Sequence, residues 1–195
     1  MIRMAALFDK LKKIRKKILL FYLSVIYSMY PASVKFEEYR LSKKIAEDLG
    51  CRKVMDIGCG KGNLAKILEN SDFYVGVDVS NIFEVKEGRD FVRASMENLP
   101  FISNTYIDCA FFVNSIFYSS SWRKSLSEAE KLAKTIVLID IDKGYPHIWF
   151  LDLLEGGLRE RPDQIKRELS DKYRVLWEKR GSTFAFVLRP IEKQT

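Results

Sequence analysis

The chain has 195 residues, of which 47% are hydrophobic and 30% are charged, a balance that excludes a disordered chain and fits one globular domain with a buried core. The net charge is +7, but residues 1–20 contain seven Lys and Arg against one Asp, so six of those charges lie there. This distribution excludes a generally basic surface and predicts a nearly neutral body with a cationic N-terminal segment.

The N-terminal segment has apolar residues alternately four and three positions apart, which predicts a basic amphipathic helix within residues 1–33: Leu7, Leu11, Ile14, Ile18, Phe21 and Val25. Its apolar run, residues 18–30, is shorter than the ~20 residues that span a bilayer. Three interpretations stay open: a helix that packs on the domain or covers its active site, a helix on an anionic membrane surface, and a basic tail for RNA.

The remaining chain alternates between apolar strands and amphipathic helices. The pattern predicts helices at 34–49, 63–69, 122–134 and 163–171, strands at 53–57, 74–79, 90–93, 107–113 and 135–141, and a terminal hairpin of 173–179 and 183–188. We therefore expect one α/β domain, residues 34–195, with a Rossmann-like seven-stranded sheet. The sheet should be mostly parallel with an antiparallel C-terminal hairpin and helices on both faces.

Three cysteines, Cys51, Cys59 and Cys109, are an odd number at spacings that fit neither a zinc site nor a disulfide framework. We therefore expect no metal site and reduced thiols. Cys59 and Cys109 are expected to pack as small apolar residues.

A glycine loop follows the first predicted strand. In VMDIGCGKG, Gly58, Gly60 and Gly62 come directly after Asp56, and an acid at that position disfavours a pyrophosphate but suits a cationic ligand. Asp78 ends the next strand twenty residues after Gly58, where a carboxylate can accept both hydroxyls of a ribose. The alternative is a tight turn capped by Asp78. The glycine loop and an acidic strand end at this spacing together favour a nucleotide-like cofactor.

Four segments together resemble the motifs of class I methyltransferases that use S-adenosylmethionine. They are VMDIGCGKG, GVDVS, ASMENLPF and IDCAFFVNS, and the resemblance covers residues 34–189. It implies S-adenosylmethionine as cofactor and says little about the methyl acceptor.

The resemblance also implies which residues bind the cofactor. Asp56 and the loop of Gly58, Cys59, Gly60 and Gly62 would hold its amino-acid end, and Asp78 would bind the ribose. The adenine would lie against Val79, Ile82, Ser95 and Met96, and Asn114 beside the methionine part. The family usually has Asp at the position of Ser95, and many relatives have a full helix where this chain has only residues 81–90.

A general base would help if the acceptor is a hydroxyl group. The segment DIDKGYPH follows the fifth predicted strand at the sheet edge where substrate loops lie, and it contains Asp142 and the only histidine, His147. Both residues are candidates for that base, although a single His is more often structural.

Aromatic residues near the expected pocket favour a small-molecule acceptor that is lipid-like or aromatic, with a possible peripheral contact of residues 1–30 with an anionic membrane. Phe111 and Phe112 are expected in the core instead. Because the cofactor is made in the cytosol, we expect a cytoplasmic protein, membrane-associated or not, in preference to a secreted one. The alternatives are RNA or protein as acceptor, with nucleic acid the less favoured partner, and a silent methyltransferase-like binding subunit.

Overall fold

A computed structural model describes residue 18 and residues 37–80, 83–84, 87–101 and 106–191, without the side chain of His147. The helix predicted within residues 1–33 lies outside this part of the chain, Ile18 excepted. No helix among the described residues is long and apolar enough to cross a membrane.

Seven strands form one sheet in the order β3-β2-β1-β4-β5-β7-β6. Strands β1 to β5 pair in parallel, and β7 is antiparallel to both β5 and β6, so the predicted fold class is confirmed. The strands are β1 Lys53–Ile57, β2 Phe73–Asp78, β3 Asp90–Arg93, β4 Ile107–Val113, β5 Ala133–Ile141, β6 Tyr173–Lys179 and β7 Thr183–Pro190.

The central strands present apolar side chains on both faces of the sheet. Both faces are therefore covered by helices or turns. On one face lie α2 (Trp122–Glu130) and α4 (Pro162–Leu169), and on the other lie α1 (Glu37–Asp48) and the segment 61–68. Phe111 and Phe112 are both fully buried on β4, as expected. The core thus fixes the carboxyl ends of β1, β2 and β4 next to one another.

The helix predicted at 63–69 is wrong, because residues 60–67 form consecutive turns with a break at 68. Leu68 N donates to Leu64 O at 3.0 Å, but Ile67 N donates to the same oxygen at three-residue spacing. A run this short does not offset the cost of starting a helix, and left-handed Gly60 and Gly62 precede it. Leu64 still buries its side chain under the sheet.

Two elements were not predicted: α3, Pro146–Glu155, and a one-turn 3₁₀ helix, Ile116–Tyr118. Pro146 stands in the first turn of α3, where a missing N–H costs nothing, and left-handed Gly156 ends the helix. Both elements follow strands at the carboxyl edge of the sheet, so they contribute to the walls of any site there.

The expectation of reduced thiols is wrong for two of the three cysteines. A disulfide joins Cys51, before β1, to Cys109 on β4, with Cα atoms 5.7 Å apart. The sequence could not show that parallel pairing of β1 with β4 brings these two residues together across 58 positions. Cys59 is free and buried, in agreement with its predicted packing role.

Candidate active site

The glycine loop turns sharply because two of its glycines leave no room for a side chain. At Gly58 (φ +77°), a Cβ atom would lie 2.4 Å from Ser115 Cβ, and at Gly62 (φ +76°), 2.4 Å from the Phe83 ring. The N–H groups of Gly58 and Cys59 both donate to Val77 O, at 2.7 and 3.1 Å. The loop is therefore clamped between the end of β2 and the segment after β4.

Asp78, the last residue of β2, is held by this loop. Its Oδ2 accepts a hydrogen bond from Gly60 N at 2.9 Å, and its Oδ1 accepts from Ser80 N at 2.8 Å and from Ser80 Oγ at 2.6 Å. Carboxylate oxygens can accept more than one hydrogen bond each, so this geometry fixes the carboxylate and leaves it capacity for ligand hydroxyls.

A cavity of about 350 Å³ opens at the carboxyl ends of β1, β2, β3 and β4. This is within the size range of ligand pockets in proteins. Six of the eleven predicted cofactor residues line it: Gly58, Asp78, Val79, Ser95, Met96 and Asn114. The other lining residues were not among the predicted cofactor residues: Val77, Ala94, Glu97, Ser115, Tyr118 and Ser119. Tyr118 was, however, expected near the pocket as an aromatic residue.

Five predicted cofactor residues do not line the cavity or cannot be placed. Gly60 and Gly62 shape the loop. Cys59 Sγ packs against Gly76, and burial raises the pKa of the Cys59 thiol. Asp56 is 3% exposed beneath the loop. Ile82 lies outside the described residues.

Asp56 is a buried carboxyl with one hydrogen-bond donor, the hydroxyl of Tyr74 at 2.6 Å. Burial raises the pKa of Asp56 to about 7, the Tyr74 hydrogen bond opposes this, and the charge of Asp78 adds to it. Whether Asp56 is ionised behind the loop therefore depends on the groups around it.

Glu97 lines the cavity and fixes part of its wall. Its Oε1 accepts hydrogen bonds from Ser119 Oγ at 2.7 Å and Ser120 N at 2.6 Å, and Ser120 Oγ adds another at 2.9 Å. These hydrogen bonds, first that of Ser119, lower the pKa of Glu97 to about 2. The motif ASMENLPF contained this residue, but nothing in the sequence showed that it faces the serines after β4.

Asn114, directly after β4, lies at the middle of the sheet edge. It has φ +51°, a left-handed conformation that Asn tolerates better than most residues, and is the only non-glycine residue with positive φ among the described ones. Its Nδ2 donates to Glu38 Oε1 at 3.2 Å, while its Oδ1 is buried and has no hydrogen-bond partner in the part of the chain that the structure describes. Such an acceptor fits an N–H or O–H group of a ligand.

A buried ionic network stands beside the cavity on the β5 side. Arg159 is 4% exposed, and its Nε lies 3.2 Å from Asp140 Oδ1, while its Nη1 contacts Glu155 and lies 3.6 Å from Asp152 Oδ1. Burial raises the pKa of Asp140 to about 6 against the opposing effect of Arg159. The hydroxyl of Tyr118 donates to Glu155 Oε1 at 3.0 Å, which joins the network to the cavity wall.

The two predicted candidates for the base lie at the end of β5 and the start of α3. Asp142 Oδ1 accepts a hydrogen bond from Gly144 N at 2.7 Å and does not line the cavity. His147 is in the first turn of α3. Their catalytic role stays a prediction.

These features fit S-adenosylmethionine. The clamped glycine loop and Asp78 stand at the topological switch point of the sheet, where α/β proteins bind nucleotides. The cofactor, when bound, would supply an activated methyl group on sulfur.

Comparison with known proteins agrees with this geometry. The model of the methyltransferase domain family matches residues 55–137. An uncharacterised protein of Methanocaldococcus jannaschii is 27% identical over 121 residues, which cover 58% of this chain and 47% of that protein. This chain thus spans about half the length of the curated relative that it matches.

Solved structures share the fold. A SAM-dependent methyltransferase from Aquifex aeolicus has a TM-score of 0.62 at 18% identity, with 86% of this chain and 98% of that one covered. The trans-methyltransferase CalH in complex with SAH has a TM-score of 0.63 at 13% identity, with 78% and 55% covered. At these identities the similarity establishes the fold.

Proposed function

Because this chain carries a class I, S-adenosylmethionine-dependent methyltransferase domain, we propose that it transfers a methyl group from this cofactor to a small-molecule acceptor. The observation that carries the proposal is the cavity at the switch point of the sheet, bounded by the clamped loop at Gly58 and by Asp78. Asp78 would bind the ribose hydroxyls, and Ser95 and Met96 would contact the adenine. Asp56 would act from behind the loop on the amino-acid end.

The chain's main chemical task is then alignment. Methyl transfer from sulfonium is an in-line displacement that gains most from a fixed approach of the nucleophile in a site without bulk water. The left-handed turn at Asn114 and the hydrogen bonds of Glu97 would hold two walls of the cavity in place.

We propose a lipid-like or aromatic acceptor. Large apolar side chains are exposed on α3 beside the carboxyl edge of the sheet, with Trp149 55%, Leu153 52% and Phe150 36% exposed. Tyr118 adds an aromatic ring at the cavity itself. These groups favour an acceptor with an apolar body over a highly charged polymer.

A screen with a labelled methyl donor tests this choice. We expect label in organic-extractable small molecules when the protein is incubated with apolar acceptors. Label only in acid-precipitable RNA or protein would contradict the proposal and favour the polymer-modifying alternative. No label in any fraction, with intact cofactor binding, would favour the silent binding subunit.

We further propose that residues 1–30 contact an anionic membrane surface. The six net positive charges of residues 1–20 would be attracted to anionic lipid, and the exposed side chains of α3 could add apolar contact. Co-sedimentation with anionic vesicles at low salt tests it. Equal sedimentation with and without residues 1–30 would contradict this contact.

A further inference from the structure

Glu38, in the first turn of α1, orients the amide of Asn114. A carboxylate only accepts hydrogen bonds, so the Asn114 group that faces Glu38 Oε1 at 3.2 Å must be the Nδ2 donor. The Asn114 Oδ1 atom then faces away from Glu38, and it is buried without a hydrogen-bond partner among the described residues, in a side chain that lines the cavity. The pair therefore presents an unused acceptor backed by a carboxylate.

The neighbouring charges around Glu38 are already paired. Glu37, the preceding residue, forms an ion pair with Lys179 on β6, and Asp140 pairs with Arg159. Among the described residues, Glu38 has no ion pair with a Lys or Arg. Burial raises the pKa of Glu38, and Glu37 and Asp140 raise it further, while the hydrogen bond from Asn114 lowers it. Among the described residues, the Glu38 carboxyl therefore has a hydrogen-bond donor but no cationic partner.

The position of the pair separates it from the nucleoside end of the cavity. Asp78, Val79 and Ser95 lie at the ends of β2 and β3, on one side of β1 in the sheet order. Asn114 follows β4, and Asp140, whose charge acts on Glu38, ends β5 on the other side. A group bound by Glu38 and Asn114 would thus lie on the β4 and β5 side of the site, away from the nucleoside end.

We propose that Glu38 and Asn114 bind the amine of the methyl acceptor, so that the enzyme is an N-methyltransferase for small apolar amines. This inference rests on the proposed function and deepens it. Asn114 Oδ1 accepts an N–H of the amine, and the Glu38 carboxylate takes one proton from the ammonium form. The nitrogen lone pair then forms the new N–C bond as the C–S bond breaks, and the electron pair of that bond stays on sulfur. The product leaves as the methylated ammonium ion.

The test uses matched pairs of amine and alcohol, phenethylamine with 2-phenylethanol and hexylamine with hexan-1-ol. Labelled methyl donor should give product with the amines, and Glu38→Gln should lower that rate about 100-fold, the size of a lost proton acceptor. Calorimetric titration of the protein saturated with S-adenosylhomocysteine should show phenethylamine binding that Glu38→Gln abolishes. Glu47→Gln is the matched control, because it removes the same charge from an exposed position of α1 and should leave both readouts unchanged.

Three results would overturn the inference. One is methylation of the alcohols alone, or of neither set. Another is equal amine binding in Glu38→Gln and Glu47→Gln. The third is loss of S-adenosylhomocysteine affinity in Glu38→Gln by more than about twofold, which would place the pair on the amine of the cofactor. If the unmodified protein fails to bind S-adenosylhomocysteine, the proposed function itself fails. This result distinguishes failure of the proposed function from failure of the amine-binding inference.

Discussion

The hydroxyl of Tyr74 donates a hydrogen bond to Asp56 Oδ2 at 2.6 Å, between two neighbouring parallel strands and beneath the glycine loop. Both side chains are buried, and burial raises the pKa of Asp56 to about 7. A carboxyl in this position opposes folding when it ionises. A residue that lowers the stability of the fold in this way is typical of functional sites.

Asp56→Asn should therefore stabilise the protein at pH 8 and do so much less at pH 5. The folded pKa of about 7 exceeds the unfolded value near 3.9, so the folded state holds an extra proton between these values. Stability of the unmodified protein falls as pH rises through this window, by about 1.4 kcal/mol for each unit of pKa difference. Urea unfolding at both pH values measures it.

Asp72→Asn is the control for this pH effect. Asp72 is exposed and pairs with Arg52, whose hydrogen bond lowers the pKa of Asp72 below its ordinary value near 3.9, so the effect of this substitution should not change between pH 5 and pH 8. A stability difference between Asp56→Asn and the unmodified protein that stays constant from pH 5 to pH 8 would show that Asp56 does not titrate in this way.

Gly58→Ala should destabilise the protein and abolish cofactor binding. The added Cβ would lie 2.4 Å from Ser115 Cβ, and φ is +77°. Left-handed strain of about 1–2 kcal/mol and overpacking of about 1–3 kcal/mol should add. Thermal unfolding and titration with S-adenosylhomocysteine measure both effects.

Gly88→Ala separates the two causes. Gly88 has a similar φ of +73°, but no atom of the described residues lies within 4 Å of its added Cβ, so only the strain should appear. Ser115→Gly combined with Gly58→Ala should restore part of the loss by removing the clashing atom. Equal destabilisation by Gly58→Ala and Gly88→Ala would show that the contact with Ser115 is unimportant.

The Cys51–Cys109 disulfide should contribute substantially to stability. It closes a span of 58 residues, for which the chain-entropy model gives about 4 kcal/mol. We expect a reductant to lower the melting temperature of the unmodified protein but not that of Cys51→Ser. Titration of the unreduced, unfolded protein should detect one thiol, that of Cys59. Three thiols before reduction would contradict the disulfide.

Arg159→Met should destabilise the protein by about 3–5 kcal/mol, the cost of leaving buried carboxylates without their partner. Arg159 is the one cation that contacts Asp140, Asp152 and Glu155 among the described residues. Arg52→Met removes an exposed ion pair and should change stability little. Equal effects of the two substitutions in urea unfolding would contradict the central role of the Arg159 network.

The sequence predicted the sheet well because its strands are continuous apolar runs. The bounds of β1, β3, β4 and β6 agree with the structure, and the predicted terminal hairpin is present. The predicted cofactor residues that line the cavity follow strand ends, where motif spacing determines position. Asp78 is the best example, because it combines a strand end with a ligand-type side chain.

Other features depend on contacts between distant segments, which a single sequence does not show. Glu38 reaches Asn114 across 76 positions, and Glu97 reaches Ser119 across 22. Cys51 meets Cys109 only because β1 and β4 are neighbours in the sheet. The turns after Gly62 were predicted as a helix because apolar spacing alone does not reveal that a segment is too short to be one.

Binding of S-adenosylhomocysteine, measured by calorimetry, tests the central claim most directly. We expect binding in the micromolar range by the unmodified protein and at least about tenfold weaker binding by Asp78→Ala. Asp72→Ala removes a carboxylate near the other end of β2 and should leave binding unchanged. Failure of the unmodified protein to bind, or equal affinity in Asp78→Ala, would contradict the cofactor site described for this cavity.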